Sequence, residues 1–287
     1  MPTFTFTTAA HVPLAAIVRA VNLVYPNDND TVEGYVAYSA TTQIDHAHSI
    51  VALDETGQVA GIAMLAVRDT RGWCGDAAVI PQYQNQKLGQ ELMRRLSEAA
   101  CAIGLKTLQL ETRANNMPAR RVYEKEGYQY TRRMPCYAAL VDALGWHDVE
   151  LPISLNVARV PDASLAMETM RWYDPHFAPT PCWERELPTL LVQREQGGWL
   201  ATHHGREVGF LLCTAKRTET TLHVQQLALK SDANAEAVRA LLIMALRDTG
   251  KEKIRVGLEP EDSRVAMCLR GFGFQVEKDL LEMVKQL

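Results

Sequence analysis

Apolar residues along this chain recur at helical spacing in some stretches and form short, strand-like runs in others. Between Leu88 and Ile103 the apolar positions follow the spacing of one helix face, which predicts a helix that ends at Gly104. The run Asp76–Ile80 before it is short and largely apolar. Because Pro81 has no N–H to donate to a ladder, a strand is expected to end there. The chain therefore contains a strand, a polar loop and an amphipathic helix in direct succession.

A second strand and helix follow. The segment 106–111 alternates apolar and polar residues, which predicts a strand. Pro118 suits the first turn of a helix, and Gly127 suits its end. One stripe of this short helix carries apolar and aromatic side chains: Ala119, Val122 and Tyr123.

The same order of elements occurs twice. In the first half, a helix around Val12–Val24 and a hairpin of Ser49–Leu53 with Val59–Val67 precede the strand and loop. The second half repeats this order with predicted strands and helices at Ser154–Val160, Gly198–His203, Glu207–Thr214, His223–Leu229, Ala233–Thr249, Ile254–Leu258 and Asp262–Arg270. We expect two domains, 1–150 and 151–287, produced by an internal duplication.

Composition narrows the class of protein. A chain of 287 residues is long enough for two α/β domains, and 47% apolar with 22% charged residues is ordinary for a globular protein. The formal net charge of −4 gives no general basic surface, so we expect no nucleic-acid partner. Apolar runs are too short to cross a bilayer and the first residues do not form a secretion signal, so we expect no membrane partner.

Cysteine and histidine spacing bears on metals and compartment. The six cysteines are scattered without a C-x-x-C pair, which argues against a zinc site and a disulfide framework. A reducing cytoplasm fits this pattern, and we expect no metal. His46 and His48 would share a face of an expected strand, but no third ligand is identifiable nearby.

The polar segment 82–87 lies at the expected N-terminus of a helix. Free N–H groups and the positive end of the helix dipole make such a place an anion site. An ordinary strand–turn–helix unit would show the same pattern, so the loop alone does not decide function. The sequence has no G-x-G-x-x-G after a strand and no G-x-x-x-x-G-K-[ST].

Two segments, VIPQYQNQKLGQELMRRL from Val79 and NNMPARRVYEKEGY up to Tyr128, together resemble the Gcn5-related N-acetyltransferase (GNAT) family. The resemblance implies an α/β fold of two tandem domains, each a mixed, mostly antiparallel twisted sheet flanked by helices. It also implies direct transfer of the acetyl group from acetyl-CoA to a primary amine in a ternary complex. The implied cofactor contacts are Ala78, Val79, Gln84, Gln86, Lys87, Leu88, Gly89, Gln90, Asn116, Ala119 and Tyr123.

One residue departs from the family's loop. Gln84 opens the loop and Gly89 closes it, but Lys87 stands at the first glycine position. Glycine there lets the backbone approach a phosphate closely. The Lys87 side chain either points outward and adds a positive charge near the phosphates or crowds them, and the sequence leaves both alternatives open.

The resemblance also implies roles for the second segment. Asn116 would contact the pantetheine arm, and Ala119 would leave room for the cofactor. The Tyr123 hydroxyl would protonate the departing CoA thiolate, a general-acid role of roughly 10²–10⁴ in rate. A backbone N–H near Val79 would stabilise the oxyanion, and no acyl-enzyme nucleophile is required. Taken alone, Tyr123 would be read as an aromatic residue that packs a helix on a sheet.

The general base is less clearly marked. Asp76 begins the strand that would line the acetyl site, and Glu111 lies on the neighbouring strand. Either carboxylate could take the amine proton, directly or through water. Each could equally be a solvated strand-end residue or an ion-pair partner.

The second half keeps the order of elements without the chemistry. In place of the loop it has the segment 230–236, which lacks glycine. Its carboxylates, Asp232 and Glu236, would repel a pyrophosphate. Aligned on Gly273, the position of Tyr123 falls at Leu269. We therefore expect one active site, with a degenerate second domain that is structural or completes a substrate cleft, in a monomer (pseudo-dimer) or a homodimer.

Three functions stay open. The first is an N-acetyltransferase acting on a small-molecule amine or on a peptide N-terminus or lysine. The second is a non-catalytic acyl-CoA-binding or sensing module, motivated by Lys87 and the uncertain base. The third is a structural protein on a relic fold. The retention of Asn116, Ala119 and Tyr123 together argues against the third.

Overall fold

The computed structural model describes residues 3–26, 29–146, 149–173, 181–231 and 233–287. They form two compact units. Unit 1 comprises Met1–Arg132 and Leu281–Leu287, and unit 2 comprises Arg133–Leu280. The chain therefore leaves unit 1, forms the whole of unit 2 and returns to unit 1 with its last residues.

The described elements alternate between strands and helices. In chain order the first ten are β1 (Thr5–Thr8), α1 (Leu14–Val24), α2 (Val32–Thr42), β2 (Ile50–Leu53), β3 (Val59–Arg68), β4 (Arg71–Val79), α3 (Leu88–Ala102), β5 (Thr107–Arg113), α4 (Met117–Lys125) and β6 (Gln129–Arg133). The remaining elements are β7 (Cys136–Leu140), α5 (Val141–Leu144), β8 (Leu155–Val160), α6 (Leu165–Trp172), α7 (Leu187–Val192), β9 (Gln196–His203), β10 (Arg206–Thr214), β11 (Thr221–Leu229), α8 (Ala235–Thr249), β12 (Lys253–Val256), α9 (Arg264–Gly271), β13 (Gln275–Lys278) and β14 (Leu280–Gln286).

Each unit is built around one mixed sheet. Within the described residues the strand order is β1-β2-β3-β4-β5-β14-β6 in unit 1 and β13-β7-β12-β11-β10-β9-β8 in unit 2. The pairs β4–β5 and β11–β12 are parallel, while the hairpin pairs β3–β4 and β10–β11 are antiparallel. The expected α/β fold of two sheet-and-helix domains is confirmed.

The long apolar run of β3 is explained by burial on both faces. Leu65 packs in a cluster with Leu92 of α3, whereas Met64 packs in a separate cluster with Ile17 of α1. Successive strand residues point to opposite faces, so helices on both sides require apolar residues at consecutive positions. The helical face predicted from Leu88 onwards is the one that covers this sheet.

β4 and β5 pair over only part of their length, and we call the space between the two strands beyond their last pair the wedge. The two strands pair in parallel from Arg71–Thr107 to Trp73–Gln109, and the pairing ends there. The rest of β4 therefore keeps its ladder with β3 on one side only, and its other edge faces the space between the strands. The strand predicted to end at Pro81 is thus longer than expected and has an open C-terminal half.

Unit 2 repeats this architecture closely. β11 and β12 pair from Thr221–Lys253 to Val224–Val256 and then separate. Both wedge strands carry a bulge just past the last parallel pair, at Gly75 in β4 and at Gln225 in β11. A bulge re-aims the side chain that follows it. The following residue is Asp76 in unit 1 and Gln226 in unit 2.

The ends of the two strands that border the wedges, β4 and β11, also resemble each other. Gly61 stands opposite Val79, and Gly209 stands opposite Leu229. A Cβ on Gly61 would lie 2.9 Å from Leu92 Cδ1, and a Cβ on Gly209 would lie 3.1 Å from Leu241 Cδ1. In both units a glycine therefore lets a helix pack tightly on the sheet. These matches support the expected internal duplication.

The last strands are divided between the sheets in a way the sequence pattern does not reveal. β7 pairs with β12 and β13 in unit 2, and β14 lies between β5 and β6 in unit 1. The last two strands of the chain, β13 and β14, therefore belong to different sheets. For this reason the compact units do not coincide with the predicted division into 1–150 and 151–287.

Helix α2 is the main element absent from the sequence prediction. Its N-terminus is capped by Thr31, whose hydroxyl accepts a hydrogen bond of 3.0 Å from the N–H of Gly34. The helix exposes several small and apolar residues, which blurs its periodicity. Among the helices of the described ranges, none combines the length and apolarity needed to span a bilayer.

Candidate functional site

A cavity of about 520 Å³ lies in unit 1, where the wedge, the loop after β4 and the start of α4 meet. It is lined by the following residues expected from sequence to contact a cofactor: Ala78, Val79, Gln84, Lys87, Leu88, Gly89, Gln90, Asn116, Ala119 and Tyr123. Gln86, Asp76 and Glu111 were also predicted as site residues, and they are not part of this lining. The structure thus brings the two sequence segments, roughly thirty residues apart, onto one surface.

The loop after β4 is held by its own side chains. A short 3-10 turn spans Pro81–Tyr83. The Gln84 side chain then donates from Nε2 to the Val79 carbonyl at 3.0 Å, and that of Gln86 donates to the Gln82 carbonyl at 3.0 Å. Gln84 therefore fastens the loop to the end of β4, and Gln86 supports the loop from within.

Lys87 occupies the N-cap position of α3 in the left-handed region, with φ 63° and ψ 5°. Glycine adopts this conformation freely, whereas an L-residue pays roughly 1–2 kcal/mol. The backbone conformation is thus a second reason for glycine at this position. The Lys87 side chain is exposed at the rim of the cavity, which favours the outward orientation.

The beginning of α3 faces the cavity through Leu88, Gly89 and Gln90. Helix geometry leaves the N–H groups of the first turn without intrahelical acceptors. α3 is 15 residues long, so its dipole is well developed and places positive potential at this end. The loop and helix together form a place where an anionic group is stabilised.

The edge of β4 presents backbone groups to the wedge. The N–H of Ile80 donates to the Ala60 carbonyl at 3.0 Å, so this residue faces β3. Because strand residues alternate, the backbone groups of Val79 face the opposite, open side. The Gln84 amide on the Val79 carbonyl is consistent with that direction. The Val79 N–H is therefore available at the wall of the wedge.

Tyr123 of α4 is 9% exposed and lines the cavity. Its ring packs against that of Tyr128, with centroids 5.9 Å apart. Burial, followed by the nearby Cys74, Tyr25 and Asp76, raises the pKa of Tyr123 well above its ordinary value. The hydroxyl is therefore protonated at neutral pH and can act as a proton donor.

The start of α4 is fixed by Asn116. Its side-chain oxygen accepts a hydrogen bond of 3.3 Å from the N–H of Ala119. Pro118 stands in the first turn, as predicted. Asn116 thus has a local structural role in addition to its place in the cavity lining, and Ala119 presents only a methyl group to the cavity.

The two candidate carboxylates differ in their surroundings. Asp76 follows the bulge at Gly75 and accepts a hydrogen bond of 3.3 Å from the Tyr35 hydroxyl. Glu111 accepts a hydrogen bond of 2.6 Å from the indole N–H of Trp73. Burial, then the charges of Asp76 and Glu111, raises the pKa of the Cys74 thiol, so both carboxylates lie near this residue.

Two tyrosines near the site were not singled out from the sequence. Tyr25, at the end of α1, lines the cavity and donates its hydroxyl to the Ala77 carbonyl at 3.5 Å. Tyr35 lies on α2, which the pattern did not reveal as a helix. Recognition of Thr31 as a cap would have placed Tyr35 and Tyr38 on one face of a helix.

The histidine pair does not form the arrangement expected. His46 and His48 lie in a turn rather than on a strand, and His48 Nδ1 is 2.7 Å from Asp45 Oδ2. The strand was wrong because Ile44 makes only an isolated bridge, with Ala66. In the ranges that the structure describes, no three potential ligands among His, Cys, Asp and Glu come together for a metal.

In unit 2 the matching positions hold other residues. The Phe274 N–H donates to the Leu269 carbonyl at 3.0 Å, as the Tyr128 N–H donates to the Tyr123 carbonyl at 3.0 Å. Leu269 therefore stands where unit 1 has Tyr123, as predicted. Asp232, expected to repel a phosphate, lies outside the described residues.

An arginine crosses the wedge of unit 2. Arg185 donates from Nε to the Gln225 carbonyl at 2.8 Å and from Nη1 to the Gly257 carbonyl at 3.1 Å. Gln225 belongs to β11 and Gly257 directly follows β12, so both carbonyls lie just beyond the last parallel pair. The same nitrogen forms a buried ion pair of 2.6 Å with Glu259. The Arg185 side chain thus links β11 to the residue that follows β12, at the point where the two strands separate.

Comparisons with known proteins point to one family. Residues 16–128 match the model of the acetyltransferase (GNAT) family. A segment of 76 residues, 26% of this chain, is 36% identical to the ribosomal protein bS18-alanine N-acetyltransferase of Escherichia coli (strain K12). The match covers 51% of that relative, so the chain spans about half of its length.

Solved structures resemble the chain over nearly its full length. A GCN5-related N-acetyltransferase from Sphaerobacter thermophilus has a TM-score of 0.71 at 17% identity, covering 99% of this chain and 95% of that one. A tandem GNAT protein from the clavulanic acid biosynthesis pathway has a TM-score of 0.68 at 14% identity, covering 100% and 98%. At these identities the likeness concerns the fold, including its two-unit form.

Proposed function

We propose that unit 1 transfers an acetyl group from acetyl-CoA to a primary amine, because residues 16–128 match the model of the acetyltransferase (GNAT) family. The observation that carries this proposal is the shared cavity. It joins the open edge of β4, an anion-stabilising loop and a buried, protonated Tyr123. Together they offer an oxyanion donor, a site for the CoA phosphates and an acid for the leaving thiolate.

Acetyl-CoA fits the chemistry of the lining as a co-substrate. Its pyrophosphate would take the place at the start of α3, where helix N–H groups and the exposed Lys87 supply positive potential. Its pantetheine arm would run past Ala119 and Asn116 into the wedge. The loop residues Gln84 and Gln86 would act mainly by holding the backbone in shape, since their side chains bond to loop carbonyls.

The reaction then follows from the residues around the thioester. The neutral amine attacks the carbonyl carbon, and the Val79 N–H stabilises the negative charge that develops on the carbonyl oxygen. The C–S bond breaks, and the Tyr123 hydroxyl gives its proton to the departing thiolate. Both substrates are held together in the wedge, so orientation lowers the barrier and no acyl-enzyme is needed.

Asp76 is the carboxylate that we assign as the general base. Its charge contributes to the raised pKa of Tyr123, so it lies within electrostatic reach of the proposed acid. The Glu111 carboxylate is engaged by the indole N–H of Trp73. Asp76 lies outside the cavity lining, and we propose that it takes the amine proton from the acceptor side, directly or through water.

The acceptor is proposed only as a class. The relative named above acts, by its name, on an alanine of a ribosomal protein, and that substrate belongs to that protein. For this chain we propose a primary amine of a small molecule, or a peptide N-terminus or lysine. The six cysteines are free thiols, which supports the proposal that the reaction takes place in the reducing cytoplasm.

The test combines binding with turnover. Isothermal titration with acetyl-CoA should give one site per chain, and a screen of amines should show transfer. Tyr123→Phe should keep most of the binding but reduce kcat by about 10²–10⁴ if the hydroxyl is the acid. Tyr130→Phe is the matched control, because Tyr130 is 56% exposed on β6 and does not line the cavity.

The outcomes separate the alternatives. Two binding sites per chain would mean that unit 2 also binds acyl-CoA, and the single-site proposal would fall. Binding without transfer to any amine would favour the acyl-CoA-sensing module. Absence of binding would overturn the assignment and leave a structural role. Equal turnover in Tyr123→Phe and the wild type would remove the hydroxyl from the mechanism.

A further inference from the structure

We propose that Tyr35 of α2 is a positioning residue that orients the Asp76 carboxylate toward the acceptor amine. The inference rests on the proposed function, in which Asp76 takes the amine proton. Tyr35 comes from a helix that the family motifs do not include, and nothing in the sequence pattern marked it. The structure assigns it a task through a direct contact with Asp76 rather than through the cofactor.

The contact joins the Tyr35 side chain, which the core holds in place, to the Asp76 side chain, which is less constrained. Tyr35 is 3% exposed, so its ring is held by the core around α1 and β3. Its hydroxyl donates to Asp76 Oδ2 at 3.3 Å. Asp76 itself is only half-buried and follows a bulge, where the strand ladder is interrupted. A rigid donor on one oxygen fixes the direction of the Asp76 carboxylate.

A second tyrosine of α2 offers a comparison within the same helix. Tyr38 lies three residues after Tyr35, with ring centroids 6.0 Å apart, and donates its hydroxyl to the Gly75 carbonyl at 3.0 Å. Residues three apart on a helix share a face. Tyr38 thus bonds to a backbone carbonyl at the bulge, whereas Tyr35 bonds to the carboxylate of the proposed base. A comparison of the two tyrosines therefore distinguishes a contact that supports the backbone from one that orients the Asp76 carboxylate.

Unit 2 shows what replaces this arrangement where the chemistry is lost. Gln226, which matches Asp76 after the bulge, donates its amide to the Trp172 carbonyl at 3.3 Å. A carboxylate cannot donate this bond, and an amide cannot accept the amine proton. The carboxylate with its phenolic donor occurs in unit 1, where the cavity lined by Tyr123 lies.

Several titratable groups lie near Asp76 or near its neighbours Tyr35, Cys74 and Tyr123, and they contribute to the pH dependence of activity. They come from the elements packed around the wedge: Tyr25 after α1, Asp30 before α2, Tyr35 on α2, Cys74 on β4, Glu111 on β5 and Tyr123 on α4. Burial, followed by the Asp76 charge, raises the pKa of Tyr35, so its hydroxyl keeps its proton as a donor. The pKa values of Cys74 and Tyr123 are also raised, so Tyr35, Cys74 and Tyr123 stay neutral near pH 7.

The experiment compares Tyr35→Phe with Tyr38→Phe in the full-length chain, using acetyl-CoA and the best amine from a screen. Loss of the donor destabilises the Asp76 anion, so the acid limb of the kcat profile should move to higher pH by about one unit. KM for acetyl-CoA should change little, because Tyr35 is not in the cavity lining. Tyr38→Phe should leave the acid limb in place.

A second measurement does not depend on turnover. Carboxyl carbon NMR of protein labelled at aspartate, with the Asp76 signal assigned from Asp76→Asn, should show Asp76 titrating about one unit higher in Tyr35→Phe. An unshifted Asp76 signal together with an unshifted limb would overturn the proposal. An equal shift in Tyr38→Phe would overturn it too, since the effect would then come from the helix as a whole. If the wild type shows no transfer while the NMR shift is present, the proposed function fails and the contact stands.

Discussion

The two units share a backbone plan and differ in what fills its wedge. In unit 1 the space beyond the last parallel pair opens onto a cavity of about 520 Å³, next to Tyr123. In unit 2 the same place is bridged by Arg185, which donates to carbonyls of both diverging strands. The bulge and the packing glycine are present in both units.

This contrast teaches that the features required for folding persist where the features required for chemistry do not. Gly61 and Gly209 occupy matching places because a helix must approach the sheet closely in either unit. Asp76 is replaced by Gln226, and Tyr123 by Leu269, although neither change disturbs the plan. Fold alone therefore does not assign activity to unit 2.

The largest effect is expected from removal of residues 281–287. They form most of β14, which lies between β5 and β6, and Met283 is 2% exposed. Without this strand the sheet of unit 1 is split and its ladder groups lose their partners. We expect loss of acetyl-CoA binding and of unit 1's cooperative unfolding, measured by titration and by circular dichroism. Met283→Leu keeps the strand and should retain both, and a truncated chain that binds normally would contradict the role of β14.

The next largest effect is expected when unit 1 is made to resemble unit 2 at the bulge. Asp76→Gln copies the residue of unit 2 and removes the proposed base, so kcat should fall by roughly 10²–10⁴. Binding of acetyl-CoA should stay close to that of the wild type, because Asp76 does not line the cavity. Asp69→Asn, on the exposed turn between β3 and β4, is the control. Undiminished turnover in Asp76→Gln would transfer the base role to Glu111 or to water.

The substitution Arg185→Ala removes the hydrogen bonds that link the two sides of the wedge in unit 2. The change would leave Glu259, whose side chain is 5% exposed, as a buried charge without its guanidinium partner. We expect a loss of about 3–5 kcal/mol in the free energy of unfolding, measured by urea denaturation. Arg159→Ala removes an ion pair with side chains 55% and 81% exposed and should have little effect. A small loss for Arg185→Ala would show that the wedge of unit 2 closes without it.

The smallest effect concerns the loop of unit 1. Lys87→Gly relieves a left-handed lysine and should stabilise the protein by about 0.5–1 kcal/mol. It should also weaken acetyl-CoA binding by roughly two- to fivefold, less at high salt, because a charge at the rim is lost. Asn85→Gly is the control, since Asn85 has φ 61° and asparagine tolerates that region. Tighter binding by Lys87→Gly would show that the lysine obstructs the phosphates.

Much of the site was predictable because its signals are local. The strand that ends at Pro81, the helix from Leu88 and the helix that starts near Pro118 each depend on short-range periodicity and caps. Their residues converge because a parallel pair of strands brings consecutive loops to one edge of the sheet. The strand predicted around His46 and His48 was wrong, and α2 was missed, because neither segment has a clear period.

The sequence by itself determined the α/β class, the repeated order of elements and the loop and helix that carry the candidate chemistry. Propensity, periodicity and the resemblance act within short segments or on motifs, so these could be read directly. The tertiary structure decided the exchange of β7 and β14 between sheets, the contact of Tyr35 with Asp76 and the closure of the second wedge by Arg185. Each of these joins residues tens of positions apart or more, and such pairings are selected by burial and hydrogen-bond satisfaction in the folded chain.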